Sequence, residues 1–211
     1  MLSVLRAELL DHLLRLGGVL DRYASSDPDF VAQATRWLSR AEEILKRYRQ
    51  PTAALMAAQH GLILAAGDGF HDPEIDPSVT SPRKLLRATA SLCLSRAESS
   101  LRSQVAAIDE QLEPVRLKMA QLVSVASSVK PIPLPPTEPR TLWLQTVWNG
   151  LAVNGDTKPM HAYISTVLSP VDRLYLLDEL LSNLLAEGTD KTPGIPATPR
   201  PHPTRKKKGD Q

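Results

Sequence analysis

The 211-residue sequence contains little cysteine, few aromatic residues and no long apolar run. Its single cysteine, Cys93, excludes an internal disulfide framework and a zinc site of the CxxC type. No stretch approaches the roughly 20 apolar residues of a membrane-spanning helix. Charged residues such as Arg6, Glu8 and Asp11 interrupt the first twenty positions, which argues against a signal peptide. We therefore expect a soluble, cytoplasmic protein without a membrane span.

The formal net charge is only +2, and it is unevenly distributed. Residues 189–211 hold six basic and two acidic side chains, so residues 1–188 carry a formal charge of −2. A folded domain that binds duplex nucleic acid usually has a basic surplus, which this body lacks. Nucleic-acid association through the tail is our alternative functional expectation. The candidate contacts are Arg205, Lys206, Lys207 and Lys208, with a possible basic helix face of Arg83, Lys84, Arg87, Arg96 and Arg102.

Apolar residues recur at steps of three or four through most of the body, which predicts an all-α fold. A first helix should run to about Tyr23, and a second should begin at the Asp27-Pro28 start signal. A third, alanine-rich helix is predicted from Thr52 to about Ala66, and its small residues allow close contact with another helix. Alternating β-branched residues of useful length are absent, so no sheet is expected.

A helical pattern from Pro82 to about Val129 is interrupted only by Pro114, where we expect a kink or two helices meeting. A helix of that length would extend about 70 Å. Its heptad spacing indicates a coiled-coil-like apolar seam. We expect part of this seam to lack an internal partner, because helices of about 20 residues reach only about 30 Å. The predicted partner-binding residues are Leu101, Ile108, Leu112, Val115, Met119 and Leu122.

Five prolines between Pro131 and Pro139 predict a semi-rigid linker, which also holds the weak polyproline-ligand pattern Lys130-x-x-Pro133-x-x-Pro136. We predict an N-terminal helical bundle with the long helix over residues 1–129 and a proline-rich linker over 130–140. A small C-terminal helical domain should follow over 141–188, with a helix start signal at Ser169 to Asp172. Residues 189–211 are predicted to be a disordered basic tail.

No sequence pattern indicates catalysis. The five histidines are scattered, and the sequence contains neither a GxSxG nucleophile motif nor a phosphate-binding glycine loop. The segment 67–77 collects Asp68, His71, Asp72, Glu74 and Asp76, and could serve as a metal or catalytic loop, although solvated turns commonly have this composition. We assign no catalytic, metal or cofactor-binding residue.

The leading expectation is therefore a non-enzymatic interaction or assembly component that uses exposed apolar helix faces. Its partner is either a second copy, giving a homo-oligomer, or another protein, because both would use the same apolar stripe.

Overall fold

A computed structural model describes residues 1–129, 131, 132, 140–153 and 155–189, the last five of these by their backbone alone. These residues form eight α-helices and no strand, which confirms the all-α fold class. The helices are α1 Leu2–Leu14, α2 Leu16–Ala24, α3 Phe30–Arg47, α4 Ala53–Gly67, α5 Pro82–Val129, α6 Arg140–Leu151, α7 Lys158–Val167 and α8 Pro170–Thr189.

The first predicted helix is divided into α1 and α2 at Arg15. Two consecutive glycines, Gly17 and Gly18, follow the division, and glycine is a poor helix former. The start signal at residue 169 behaves as predicted. The backbone N–H of Asp172 donates to Ser169 Oγ, and the Ser169 hydroxyl contacts the Asp172 carboxylate at 2.7 Å.

Helix α5 runs through Pro114 without ending, so the alternative of two helices meeting there is wrong. Proline removes one backbone donor, and the affected carbonyl belongs to Glu110, four residues earlier. Pro114 and Glu110 are both exposed, so water can satisfy that carbonyl. The helix therefore reaches about 70 Å at 1.5 Å per residue.

Two sets of shorter helices pack against successive parts of α5. Helices α3 and α4 contact α5, and near its middle Gln104 hydrogen-bonds to Gln50 and Thr52. Beyond that point Asp109 contacts Arg6 of α1. Helices α6, α7 and α8 also contact α5, and Arg116 reaches Glu179 of α8 at 3.3 Å. Two sets of helices placed end to end thus extend the cover beyond what a single set could reach.

The six predicted partner-binding residues of α5 are enclosed by this arrangement. Leu101, Ile108, Leu112, Val115, Met119 and Leu122 are each at most 4% exposed in the single chain. The expectation that the seam lacks an internal partner is therefore wrong. That expectation assumed that a single set of helices covers α5. In the fold, α1 and α6–α8 pack over the second half of α5.

Buried side chains of α6–α8 belong to the same apolar cluster as those of α1–α5. Trp143, Trp148 and Leu177 share this cluster with Leu5 and Phe30. The described parts of the two predicted units are therefore packed on a common core, and an independent domain at 141–188 stays a prediction. Most of the predicted linker and tail, including the Lys130–Pro136 pattern, lies outside the described residues.

Candidate functional site

Three of the five residues of the candidate basic face make contacts within the chain, whereas Arg83 and Lys84 at the start of α5 are exposed. Arg87 donates to the carbonyls of Tyr23 and Asp27, and Arg102 pairs with Glu98. Arg96 binds the loop after α4, as described below. The basic residues 205–208 lie outside the described part of the chain.

The acidic loop is fastened to α5 through Arg96. Its guanidinium contacts the buried Asp72 carboxylate at 2.8 and 3.2 Å and Glu74 at 2.8 Å. The hydrogen bonds from Arg96 hold the pKa of Asp72 below its usual range. Within the described residues, no three His, Cys, Asp or Glu side chains are grouped so that they could hold a metal ion. The geometry gives this loop a structural contact with α5.

Cys93 lies one turn before Arg96 and is fully buried. Burial raises the pKa of its thiol to about 11, so the nucleophilic thiolate is disfavoured. Cys93 therefore acts as a small core residue.

Helix α4 is apolar on the side that faces away from the protein. Its buried residues Ala53, Met56, Ile63 and Ala66 point into the core. The opposite side is exposed, although the helix contains no Asp, Glu, Lys or Arg. An amphipathic helix normally places polar residues there. We call this side the outer face of α4, and it comprises the exposed Ala54, Leu55, Ala57, Ala58, Gly61 and Leu64 with the half-buried Ala65.

The outer face has a line of small residues at its centre. Ala54, Ala58, Gly61 and Ala65 are spaced by four, three and four, so they form one stripe along the helix. Leu55 and Leu64 flank this stripe and are 53% and 60% exposed. A Cβ added at Gly61 would meet nothing within 4 Å, so no packing inside the chain requires glycine there.

The α4 sequence is nearly mirror-symmetric about the midpoint between Gln59 and His60. Positions equally far from this midpoint hold similar residues except for Ala57 and Leu62, and the charge-free pattern extends to both ends. The matched pairs on the outer face are Ala54 with Ala65, Leu55 with Leu64, and Ala58 with Gly61. The alanine content of this helix was predicted from the sequence, whereas its exposure and its symmetry were not.

A separate cleft of about 370 Å³ opens between α6, α7 and α8. Its lining combines polar and apolar side chains, namely Gln145, Trp148, Asn149, His161, Pro170, Arg173 and Leu174. The His161 and Trp148 rings are stacked with centroids 4.2 Å apart. The Arg173 guanidinium lies 5.5 Å from the Trp148 ring centroid. These residues come from three helices, so only the tertiary fold brings them together.

Two polar atoms in this cleft are buried without a hydrogen-bond partner, His161 Nε2 and Arg173 Nε. Burial, the positive charge of Arg173 and the hydrogen bond to the Trp148 carbonyl act on the histidine, and their balance lowers the pKa of His161. The imidazole is therefore neutral near pH 7, as expected for a histidine beside a cation.

Comparisons with protein-family models, with curated proteins and with solved structures find no match to this chain. Across the described residues, no helix combines the length and apolar character that crossing a bilayer requires. The outer face of α4 and the α6–α8 cleft are thus the two features on which a function can be argued.

Proposed function

We propose that the chain is a non-enzymatic assembly component that pairs with a second copy of itself through the outer face of α4. The observation that carries this proposal is the combination of exposure, absence of charge and mirror symmetry on that face. The partner surface moves from the seam of α5, which sequence analysis favoured, to α4.

Mirror symmetry favours a second copy over an unrelated helix. In an antiparallel pair related by a two-fold axis, each residue opposes the residue equally far from the midpoint. Ala54 then faces Ala65 of the second copy, and Ala58 faces Gly61. Small residues meet along the centre, while Leu55 and Leu64 flank the contact on opposite edges because nine residues correspond to half a turn. This arrangement allows the helix axes to approach to the close end of the usual range, about 8 Å.

The absence of charge supports the same pairing. A two-fold axis places two copies of the same surface together, so a face that carried charge of one sign would repel its copy. Helix α4 holds no Asp, Glu, Lys or Arg. The whole chain carries a formal charge of only +2, so long-range repulsion between copies is weak.

The expected affinity is weak. Each half-exposed leucine gains at most about 1 kcal/mol on burial, and each alanine or glycine gains about half of that. Two copies contribute four leucines and eight small residues, together about 8 kcal/mol, against an association cost of at least about 4 kcal/mol. We therefore expect a reversible dimer with a Kd of about 1 mM.

Light scattering across a concentration series tests the proposal with Ala58→Glu. The substitution places a carboxylate on the central stripe, close to its symmetry mate, and should leave a monomer at concentrations where the wild type is dimeric. The matched control is Ala162→Glu, the same substitution at an exposed site on α7. It should leave the mass unchanged.

A wild-type chain that stays fully monomeric at about 1 mM, where a Kd of about 1 mM places half of the chains in dimers, would refute the proposal. So would a dimer that Ala58→Glu and Ala162→Glu disturb equally. The cytoplasmic location expected from sequence remains part of the proposal, and its direct check is microscopy of the tagged chain.

A further inference from the structure

The α6–α8 cleft holds a cation that the described part of the chain leaves without a counter-charge. Arg173 of α8 is half-buried, and its guanidinium donates one hydrogen bond, from Nη1 to the neutral Ser165 hydroxyl at 3.0 Å. No described Asp or Glu lies within ion-pair distance of it. A half-buried guanidinium in this position favours an anion from outside.

The carboxylates of the surrounding helices are engaged elsewhere. Helices α6 and α7 contain no Asp or Glu. The carboxylates of α8 whose side chains are described have other partners, namely the Ser3 N–H of α1 for Asp172, Arg140 for Asp178 and Arg116 for Glu179. The charge of Arg173 is therefore available to a ligand.

A ligand in the cleft reaches this guanidinium at one atom, Nη2. The Nε atom of Arg173 has no accessible surface, and Nη1 is held by Ser165. Nη2 also lacks a partner among the described residues, but it is not one of their enclosed polar atoms, so it remains accessible. The guanidinium carbon lies 5.5 Å from the centroid of the Trp148 ring, which places Nη2 close to the indole that lines the cleft.

Three side chains of α6 offer neutral hydrogen-bonding groups in the same cleft. Gln145, Trp148 and Asn149 lie on one side of the helix, because residues three and four apart share a face, and all three line the cleft. The carboxamides of Gln145 and Asn149 are exposed and have no hydrogen bond to any described residue. The indole N–H of Trp148 is equally without a partner there, and it is not among the enclosed polar atoms. Together with Arg173, four side chains of the cleft can donate an N–H to a ligand.

We propose that this cleft binds the carboxylate of a small monocarboxylic acid, whose apolar body lies against Pro170 and Leu174. Carboxylate oxygens only accept hydrogen bonds, so they suit the N–H donors of Arg173 and α6. Of the lining residues, Arg173 alone is charged at neutral pH, and a carboxylate matches its single charge. A phosphate monoester carries about −1.5 to −2 near pH 7 and would leave negative charge unpaired. The cleft volume of about 370 Å³ is at the small end of ligand sites and suits a body of one ring.

Isothermal titration of the full chain with phenylacetate tests this site, together with the NMR shift of the Trp148 indole N–H. We expect saturable binding with a Kd of about 1 mM and a shift of the indole signal, which Trp148→Phe identifies by its loss. Phenylacetamide has the same body and no charge. It should bind at least about tenfold more weakly than phenylacetate, because it cannot pair with the guanidinium.

Two variants separate the cation from the neutral donors. Arg173→Gln removes the charge and should weaken phenylacetate binding at least about tenfold, so that the acid and the amide bind alike. Gln145→Leu removes an exposed carboxamide of the cleft and should weaken binding several-fold in a folded chain. The control is Lys158→Gln, which removes an exposed cation at the start of α7 and should bind phenylacetate as the wild type does.

The inference is overturned if the folded wild type shows no saturable binding up to about 20 mM phenylacetate, twenty times the expected Kd. Equal affinities of the wild type for phenylacetate and phenylacetamide would also overturn it. So would an Arg173→Gln variant, or a Gln145→Leu variant where Arg173→Gln does not fold, that binds as tightly as Lys158→Gln. Because none of these measurements depends on pairing of copies, failure here leaves the α4 proposal standing.

Discussion

The seam of α5 and the outer face of α4 are both apolar stripes with heptad-like spacing, yet only the seam is buried. Ile108 on the seam is 1% exposed, whereas Leu64 on α4 is 60% exposed. The seam has larger side chains, extends over four heptads and is covered by helices from both parts of the chain. The α4 stripe is shorter, consists of small residues and has solvent on its outer side.

This difference shows that an apolar stripe indicates contact without indicating the partner. The decision depends on how helices distant in sequence are arranged, here on α6–α8 packing against the second half of α5. A substitution on the seam should therefore act on folding, and one on α4 should act on association.

A charge on the seam should prevent folding. Ile108→Glu places a carboxylate without a partner in the apolar core, which should destabilise the fold by more than about 4 kcal/mol. The matched control is Leu117→Glu on the same helix, where the leucine is 58% exposed. That variant should remain within about 0.5 kcal/mol of the wild type. Urea unfolding followed by circular dichroism measures both, and equal stability of the two variants would contradict the buried seam.

Acid should weaken the packing of α1 on the α5 seam, because it protonates the buried His12 of α1. Burial is the main cause that lowers the pKa of His12 from 6.5 to about 4, and its ring is stacked on Trp37 at 4.5 Å. Between these values the unfolded chain binds a proton that the folded chain does not, so stability falls as pH decreases from 6.5 to about 4. The loss should reach about 3 kcal/mol. His12→Leu should flatten the pH dependence in that window, measured by urea unfolding at each pH, and an unchanged slope would be contrary to this expectation.

Replacing the proline inside α5 should stabilise the fold. Pro114 occupies an exposed position inside α5, and alanine there restores one backbone hydrogen bond. Pro114→Ala should raise the free energy of unfolding by up to about 3 kcal/mol without changing the mass in solution. Unfolding and light scattering of the same sample check this pair of outcomes. A lower stability would mean that the proline shapes the contact between α5 and its covering helices.

A methyl group at Gly61 should have opposite effects on folding and pairing. Because a Cβ there meets nothing within 4 Å, Gly61→Ala should stabilise the single chain by about 1 kcal/mol. The same methyl group separates the paired helices and should weaken the dimer several-fold. Gly18→Ala, which also has open space at its Cβ, should affect stability alone. Sedimentation and thermal unfolding distinguish the two variants, and a tighter dimer with Gly61→Ala would exclude close packing at this position.

Local signals in the sequence predicted much of the fold. Proline and Ser/Asp start signals fixed the beginnings of α5 and α8, and the heptad pattern identified the seam residues that are buried. These features depend on residues close in sequence. The cover of the seam was not predicted, because it requires α6–α8 to return along α5 after the linker. The ion pair between Asp72 and Arg96 likewise depends on helix packing, as do the contacts of Trp148 with His161 and Arg173. The spacing of residues along the sequence carries no signal for such packing.

Disulfide formation between two single-site variants, Ala54→Cys and Ala65→Cys, tests the pairing of copies most directly. In the antiparallel arrangement residue 54 faces residue 65 of the second copy, and each lies about 16 Å along the axis from its own symmetry mate. A disulfide requires Cα atoms about 4.4–6.8 Å apart. Cys93 is buried and should not compete. We predict a covalent dimer on mild oxidation of the mixture and none with either variant alone. No covalent dimer in the mixture, or equal yields from the separate variants, would contradict the proposed pairing.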